Sequence, residues 1–257
     1  MVEFLKTMAT QDCQFKLQSG ESSIRQKVVP KEVIRKLEKI ANKNMKAKND
    51  RPIYIGNERS LGDNTMQRYI NSGLTHIIEA SRPWIEENIG TKCMIINRKS
   101  LIRRTWPMSE SNSRQLGHNA SNLTWHQDSN KIHKESPMLV LVIMMQDQCG
   151  SVRPGLSMIQ QNTNKFEGVY GYEGYKVDEF EREMKIKYGR IKIATPILNA
   201  GDLLIFNGLT FHRTYAHERM KKSRDAMLIR IIKPEHERNF SEHNNVIINL
   251  KKIKKND

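Results

Sequence analysis

The apolar residues of this chain fall into two regimes. Up to about residue 90 they recur at helical spacing. Val33, Ile34, Leu37, Ile40 and Ala41 form an i, i+3/i+4 stripe, which predicts a helix opening at Pro30 and running to about Ala47, before Asn49-Asp50-Arg51-Pro52. Tyr69, Ile70, Leu74, Ile77 and Ile78 repeat the stripe. They predict a second helix from Thr65 to about Ile89, broken in two at Pro83 and ended by Gly90. Residues 1–30 show no clear period. From Cys93 onward the apolar runs shorten and turn residues separate them. Strands are expected at 93–97, 100–106, 123–128, 137–145, 156–159, 191–194, 202–206 and 226–232. The run Met138 to Met145 is solidly apolar, as is typical of a buried strand. Segments 109–121 and 162–175 read as loops, and 178–187 as a short charged helix.

Helices followed by many short strands describe an α+β chain whose core is a sandwich or barrel of strands. No internal repeat divides it. One domain over residues 1–257 is the simplest account, with a mainly helical flank (1–90), a β core (91–232) and a basic tail (233–257).

Composition narrows the setting. Three widely spaced cysteines, Cys13, Cys93 and Cys149, make neither a disulfide framework nor a Cys-x-x-Cys site, which fits a reducing cytoplasm. No stretch approaches the roughly 20 apolar residues of a membrane span, and the first residues lack a signal-peptide pattern. The net charge of +15 would concentrate anions around the protein. Its lysines cluster at Lys31 to Lys48 and Lys251 to Lys255, with no arginine- and aromatic-rich nucleic-acid motif among them.

The chemistry begins at Trp125-His126-Gln127-Asp128. On a strand, residues i and i+2 share a face, so His126 and Asp128 could grip one metal ion. The pair alone is equally well explained by an exposed turn. A second piece is Gly201-Asp202-Leu203-Leu204-Ile205-Phe206, a turn and buried strand followed by His212. Two histidines and a carboxylate on one face leave open positions, the ligand set of non-haem Fe(II) oxygenases. His217 is a rival, but Ala216-His217-Glu218-Arg219 reads as loop. Arg224, which begins the last strand, presents a planar fork matched to a carboxylate, and Arg230 shares its strand parity as the alternative.

Taken together, Trp125-His126-Gln127-Asp128, Gly201 to Phe206, His212-Arg213-Thr214 and Ser223-Arg224-Asp225-Ala226 resemble the phytanoyl-CoA dioxygenase superfamily over about residues 90–232. The chain departs from that pattern at Gln160-Gln161, where the family often carries Pro-Gly. The resemblance implies a double-stranded β-helix (jelly-roll, cupin-like) core with N-terminal flanking helices, using Fe(II), 2-oxoglutarate and O2. It makes His126, Asp128 and His212 the iron ligands and Arg224, with Thr214, the anchor of the 2-oxoglutarate distal carboxylate. It implies hydroxylation of an unactivated C–H in a small molecule, with release of succinate and CO2. Related halogenases carry Gly or Ala where this chain has Asp128. Arg103, Arg104, Trp106, Lys131 and Tyr170 are the candidate substrate contacts; if two of the cations face the iron, the substrate is anionic. Two other classes stay open: a basic nucleic-acid-associated protein, and a cupin-like metal protein without 2-oxoglutarate.

Overall fold

The computed structural model describes residues 16–17, 20–45, 53–54, 64–96, 100–108, 124–129, 138–161, 177–236 and 245–252. The expected loops 109–121 and 162–175, with Lys131 and Tyr170, lie outside them.

Helix α1 spans Lys31–Asn44, with Pro30 as its N-cap residue. Ile34, Leu37, Ile40 and Ala41 are buried on one side, as the stripe predicts. Helix α2 spans Asn64–Asn88 and continues through Pro83 instead of breaking there. A proline inside a helix costs about 3 kcal/mol. Ile77, Ile78, Trp84, Ile85 and Ile89 flank it and are all buried, and each contributes about 1.5–3 kcal/mol. Packing therefore wins over the local rule. Gly90, at φ 116°, ends this segment as expected.

Eight strands make the larger sheet. They are β1 (Ser22–Arg25), β2 (Ile53–Tyr54), β3 (Lys92–Ile95), β4 (Leu101–Thr105), β5 (Met138–Met144), β8 (Leu203–Asn207), β10 (Arg224–Ile232) and β11 (Val246–Asn249). The order is β1-β8-β5-β10-β3-β11, with β4 pairing β10 and β2. Strands β6 (Gly155–Ile159), β7 (Ile193–Ala194) and β9 (His212–Tyr215) form a smaller sheet in the order β7-β6-β9. All strand pairs are antiparallel, and the two sheets make the jelly-roll expected for the core. Helix α3, Val177–Tyr188, places Phe180 and Met184 in a cluster with Trp125, Ile159 and Phe211.

The alternation of side chains gives the larger sheet two apolar faces. Leu139, Leu141, Ile143, Leu203, Ile205, Met227, Ile229 and Ile231 pack with the α1 and α2 residues. Their neighbours Val140, Val142, Met144, Leu204, Phe206 and Ala226 join Leu156 and Met158 of β6 in the space between the sheets. Strand β5 is apolar throughout because both its faces are covered.

Three differences from the sequence reading bear on the site. The described part of the expected strand, residues 124–128, is not a strand: only His126 pairs, through an isolated bridge to His212. Strand β9 lies where only a position beyond a strand end was expected. The flanks also enter the sheet, since β1 pairs β8 and β11 pairs β3.

The turn before β8 ties the N-terminal flank to the core. Gly201 has φ +85°, and a Cβ there would lie 2.6 Å from the Val29 carbonyl oxygen. Its own carbonyl accepts from the Val28 and Val29 amides, at 2.8 and 3.2 Å. The buried Asp202 carboxylate accepts from Lys27 N and Asn199 N. Gly201→Ala is expected to cost about 2 kcal/mol and to lower Tm by about 5 °C, measured by calorimetry.

Candidate metal centre

His126 and His212 are brought together by backbone bonds. The amide of each donates to the carbonyl of the other at 3.0 Å, and the two rings stand 4.2 Å apart. Two further contacts hold residues 126–129 against the turn before β9. Ser129 N donates to Gly208 O at 3.0 Å, and Gln127 Nε2 to Leu209 O at 2.6 Å. Gly208 permits this approach, because a Cβ there would stand 2.7 Å from Ser129 Oγ.

Both imidazoles are oriented in the same way. His126 Nδ1 lies 2.8 Å from Thr124 O, and His212 Nδ1 2.9 Å from Thr210 O. A carbonyl only accepts, so each Nδ1 carries the proton and each Nε2 keeps a lone pair. Those lone pairs face Asp128: Nε2 of His126 is 4.0 Å from Oδ1, and Nε2 of His212 is 3.7 Å from Oδ2. The three candidate ligand atoms lie within 4.8 Å of one another.

The electrostatics agree with a cation site. Burial, then the neighbouring His212, pushes His126 down to about 3, and burial lowers His212 as well. Both rings are therefore neutral, the form that binds metal. Burial pushes Asp128 upward, but the Arg230 guanidinium, followed by His212, outweighs it and holds the carboxyl well below its usual range. Asp128 Oδ1 accepts from Arg230 Nη2 at 2.8 Å. Asp128 Oδ2 is buried without a hydrogen-bond partner. A buried carboxylate oxygen in that condition is costly unless a cation meets it. The donor set thus fits a divalent transition metal.

Further along β10, Arg224 is buried between the sheets. Its Nη1 donates to Gly155 O at 2.7 Å and its Nη2 to Thr105 Oγ1 at 2.9 Å. Burial pushes it down to about 10. Among the described residues no carboxylate forms an ion pair with it, and its Nε has no partner. Thr214 is buried on β9 and shares the face of His212, as strand alternation requires.

The two arginines of β4 point opposite ways. Arg103 lies opposite Ala226 on β10, so it faces the space between the sheets, with Arg224. Arg104 lies opposite Asp225 and binds both its oxygens, at 2.7 and 2.8 Å, and the Met45 carbonyl. It ties β10 to the helical layer and faces away from the space between the sheets. Adjacent strand residues cannot both face the metal. Trp106 packs against Arg104, 5.6 Å from guanidinium to ring. His217 sits in a loop beside Tyr215, as expected, and outside the cluster. The residue least prominent in the sequence reading is Arg230. Its signal was its parity with Arg224 across β10.

No family model matches the chain, and no curated protein matches it. Solved structures do share its fold. The non-heme alpha-ketoglutarate-dependent epimerase SnoN from nogalamycin biosynthesis superposes with a TM-score of 0.56 at 16% identity, over 84% of this chain and 79% of that one. The carbocyclase SnoK from the same biosynthesis gives 0.54 at 11%, over 84% and 81%. HygX from Streptomyces hygroscopicus, with nickel and 2-oxoglutarate bound, gives 0.54 at 10%, over 84% of both chains. All three share the jelly-roll arrangement found here.

Arg224 is a buried cation without a partner charge, a poor contributor to stability. Arg224→Met should leave Tm of the ligand-free protein within about 2 °C of the parent or raise it. A fall beyond about 8 °C in a thermal melt would show instead that its bonds to Gly155 and Thr105 hold the two sheets together.

Proposed function

We propose that this chain is an Fe(II)- and 2-oxoglutarate-dependent oxygenase of the phytanoyl-CoA dioxygenase kind, hydroxylating an unactivated C–H of a small anionic molecule and releasing succinate and CO2. The observation that carries the reading is the facing set of two Nε2 lone pairs and an unpartnered Asp128 oxygen within 4.8 Å. His126, Asp128 and His212 would hold the iron. Bound iron with 2-oxoglutarate and O2 supplies the oxidising power that no side chain has.

The chain's own residues do the rest. Arg224 offers its fork to the distal carboxylate of 2-oxoglutarate, with the Thr214 hydroxyl beside it. That anion would supply the charge Arg224 lacks. The apolar side chains Leu156, Met158 and Phe206 keep water from the reacting C–H. Asp128 fills the position that halogenases leave open for chloride, which favours hydroxylation. Charge supports an anionic substrate. Arg103 faces the space between the sheets beside Arg224, where it would meet an acidic group of the substrate. The epimerase and carbocyclase names of the neighbours make the product the point to measure.

Adding Fe(II) and 2-oxoglutarate without oxygen should produce a weak visible charge-transfer band in the parent protein and none in His126→Ala. A missing band, or one that survives the substitution, would refute the reading. Given oxygen and a panel of candidates, succinate release should rise with carboxylates and phosphates more than with neutral analogues. Arg103→Met should raise KM for such a substrate by about tenfold, corresponding to about 1.4 kcal/mol. Mass spectrometry of the product should show a gain of one oxygen atom.

A further inference from the structure

We propose that Arg230 is a positioning residue that restricts Asp128 to a single metal-binding oxygen, Oδ2, and so keeps a coordination position open. The inference rests on the metal-centre reading above and concerns how that centre is kept incomplete.

The two oxygens of Asp128 stand in different surroundings. Oδ1 receives the Arg230 Nη2 bond at 2.8 Å and lies 4.0 Å from His126 Nε2. Oδ2 is 3.7 Å from His212 Nε2, buried and without a hydrogen bond. Both are near enough to the imidazoles that an unrestrained carboxylate could turn and chelate an ion with both. A carboxylate that uses one oxygen leaves three of six positions for other ligands; one that uses both leaves two. Chelating 2-oxoglutarate takes two. The third decides whether oxygen has a place to bind.

Arg230 is built to act as a brace. Its backbone is fixed in β10, where its N–H donates to Ser100 Oγ at 3.0 Å and its carbonyl accepts from Ile96 N at 3.0 Å. From that strand the side chain reaches Asp128, whose segment is bonded to the turn before β9. The bond therefore runs from one sheet to the other. The side chains are only 12% and 8% exposed, so water competes little for Oδ1, and a charge-assisted bond there is strong. The guanidinium also repels a divalent cation. Its presence thus does not serve raw metal affinity, and removing it would not be expected to weaken metal binding.

The test compares Arg230→Met with Arg230→Lys, which keeps the charge and one donor. Co(II) replaces iron, because the intensity of its visible absorption reports coordination number. Co(II) affinity, the Co(II) spectrum, 2-oxoglutarate affinity and Tm are measured on each full-length variant. Arg230→Met should bind Co(II) as tightly as the parent or more tightly, with an altered spectrum. Its Kd for 2-oxoglutarate should rise about tenfold, in the range seen when residues that orient metal ligands are removed. Arg230→Lys should restore the spectrum and bring that Kd to within about twofold of the parent. Parent-like values in Arg230→Met would overturn the proposal. So would a weaker 2-oxoglutarate affinity with an unchanged Co(II) spectrum, which would make Arg230 a distant charge. Loss of Co(II) binding in step with a fall in Tm would make it a structural cation and overturn it equally. If the parent protein itself binds no Co(II), the metal-centre reading fails first, and the two failures are told apart.

Discussion

Everything at the centre depends on one reciprocal pair of backbone hydrogen bonds, between His126 and His212. It is not part of a continuous ladder. It joins a bent segment to the edge of a short strand and aligns two side chains that the chain order keeps far apart. Because it is made by the main chain, the pairing asks nothing of the side chains, which are free to serve as ligands. The Nδ1 bonds to Thr124 and Thr210 carbonyls then turn both rings the same way. Asp128, two residues past His126, falls beside them because a bend follows the bridge.

Around this pair the protein gathers arginines in the space between the two sheets. On its inner face β10 presents Arg224, Ala226, Leu228, Arg230 and Ile232 in turn, with Arg103 opposite Ala226. The outer face of the same strand is apolar except Asp225, which Arg104 neutralises. Charge is thus sorted across one strand. The outward pair is complete and structural.

Much of this was legible in the sequence, and the failures share a cause. Helix α1 and strands β5, β8 and β10 carry strong periodicity, because their side chains meet apolar layers. Strand β9 was not legible. Its inward positions are His212 and Thr214, polar because they line the site, so hydrophobic alternation is absent where function needs other residues. Segment 123–128 misled in the opposite sense: its apolar start suggested a strand, while Trp125 is buried in the cluster under α3. Pro83 misled because a local rule was set against burial that outweighs it. Arg104 was grouped with Arg103 as a substrate contact, although their adjacency sends them to opposite faces. That His126, Asp128 and His212 would lie together was legible because their spacing is chemical as well as structural.

The separation of His126 from His212 along the chain also has a consequence for folding. The bridge between the two histidines joins positions far apart in the chain, and contacts of such high sequence separation form slowly. The metal site does not exist until that contact has formed. An ion held by His126, Asp128 and His212 would bind the native chain and not the unfolded one, adding its binding free energy to the stability of the fold. Metal supply would then act on how much folded protein a cell holds as well as on how fast that protein turns over.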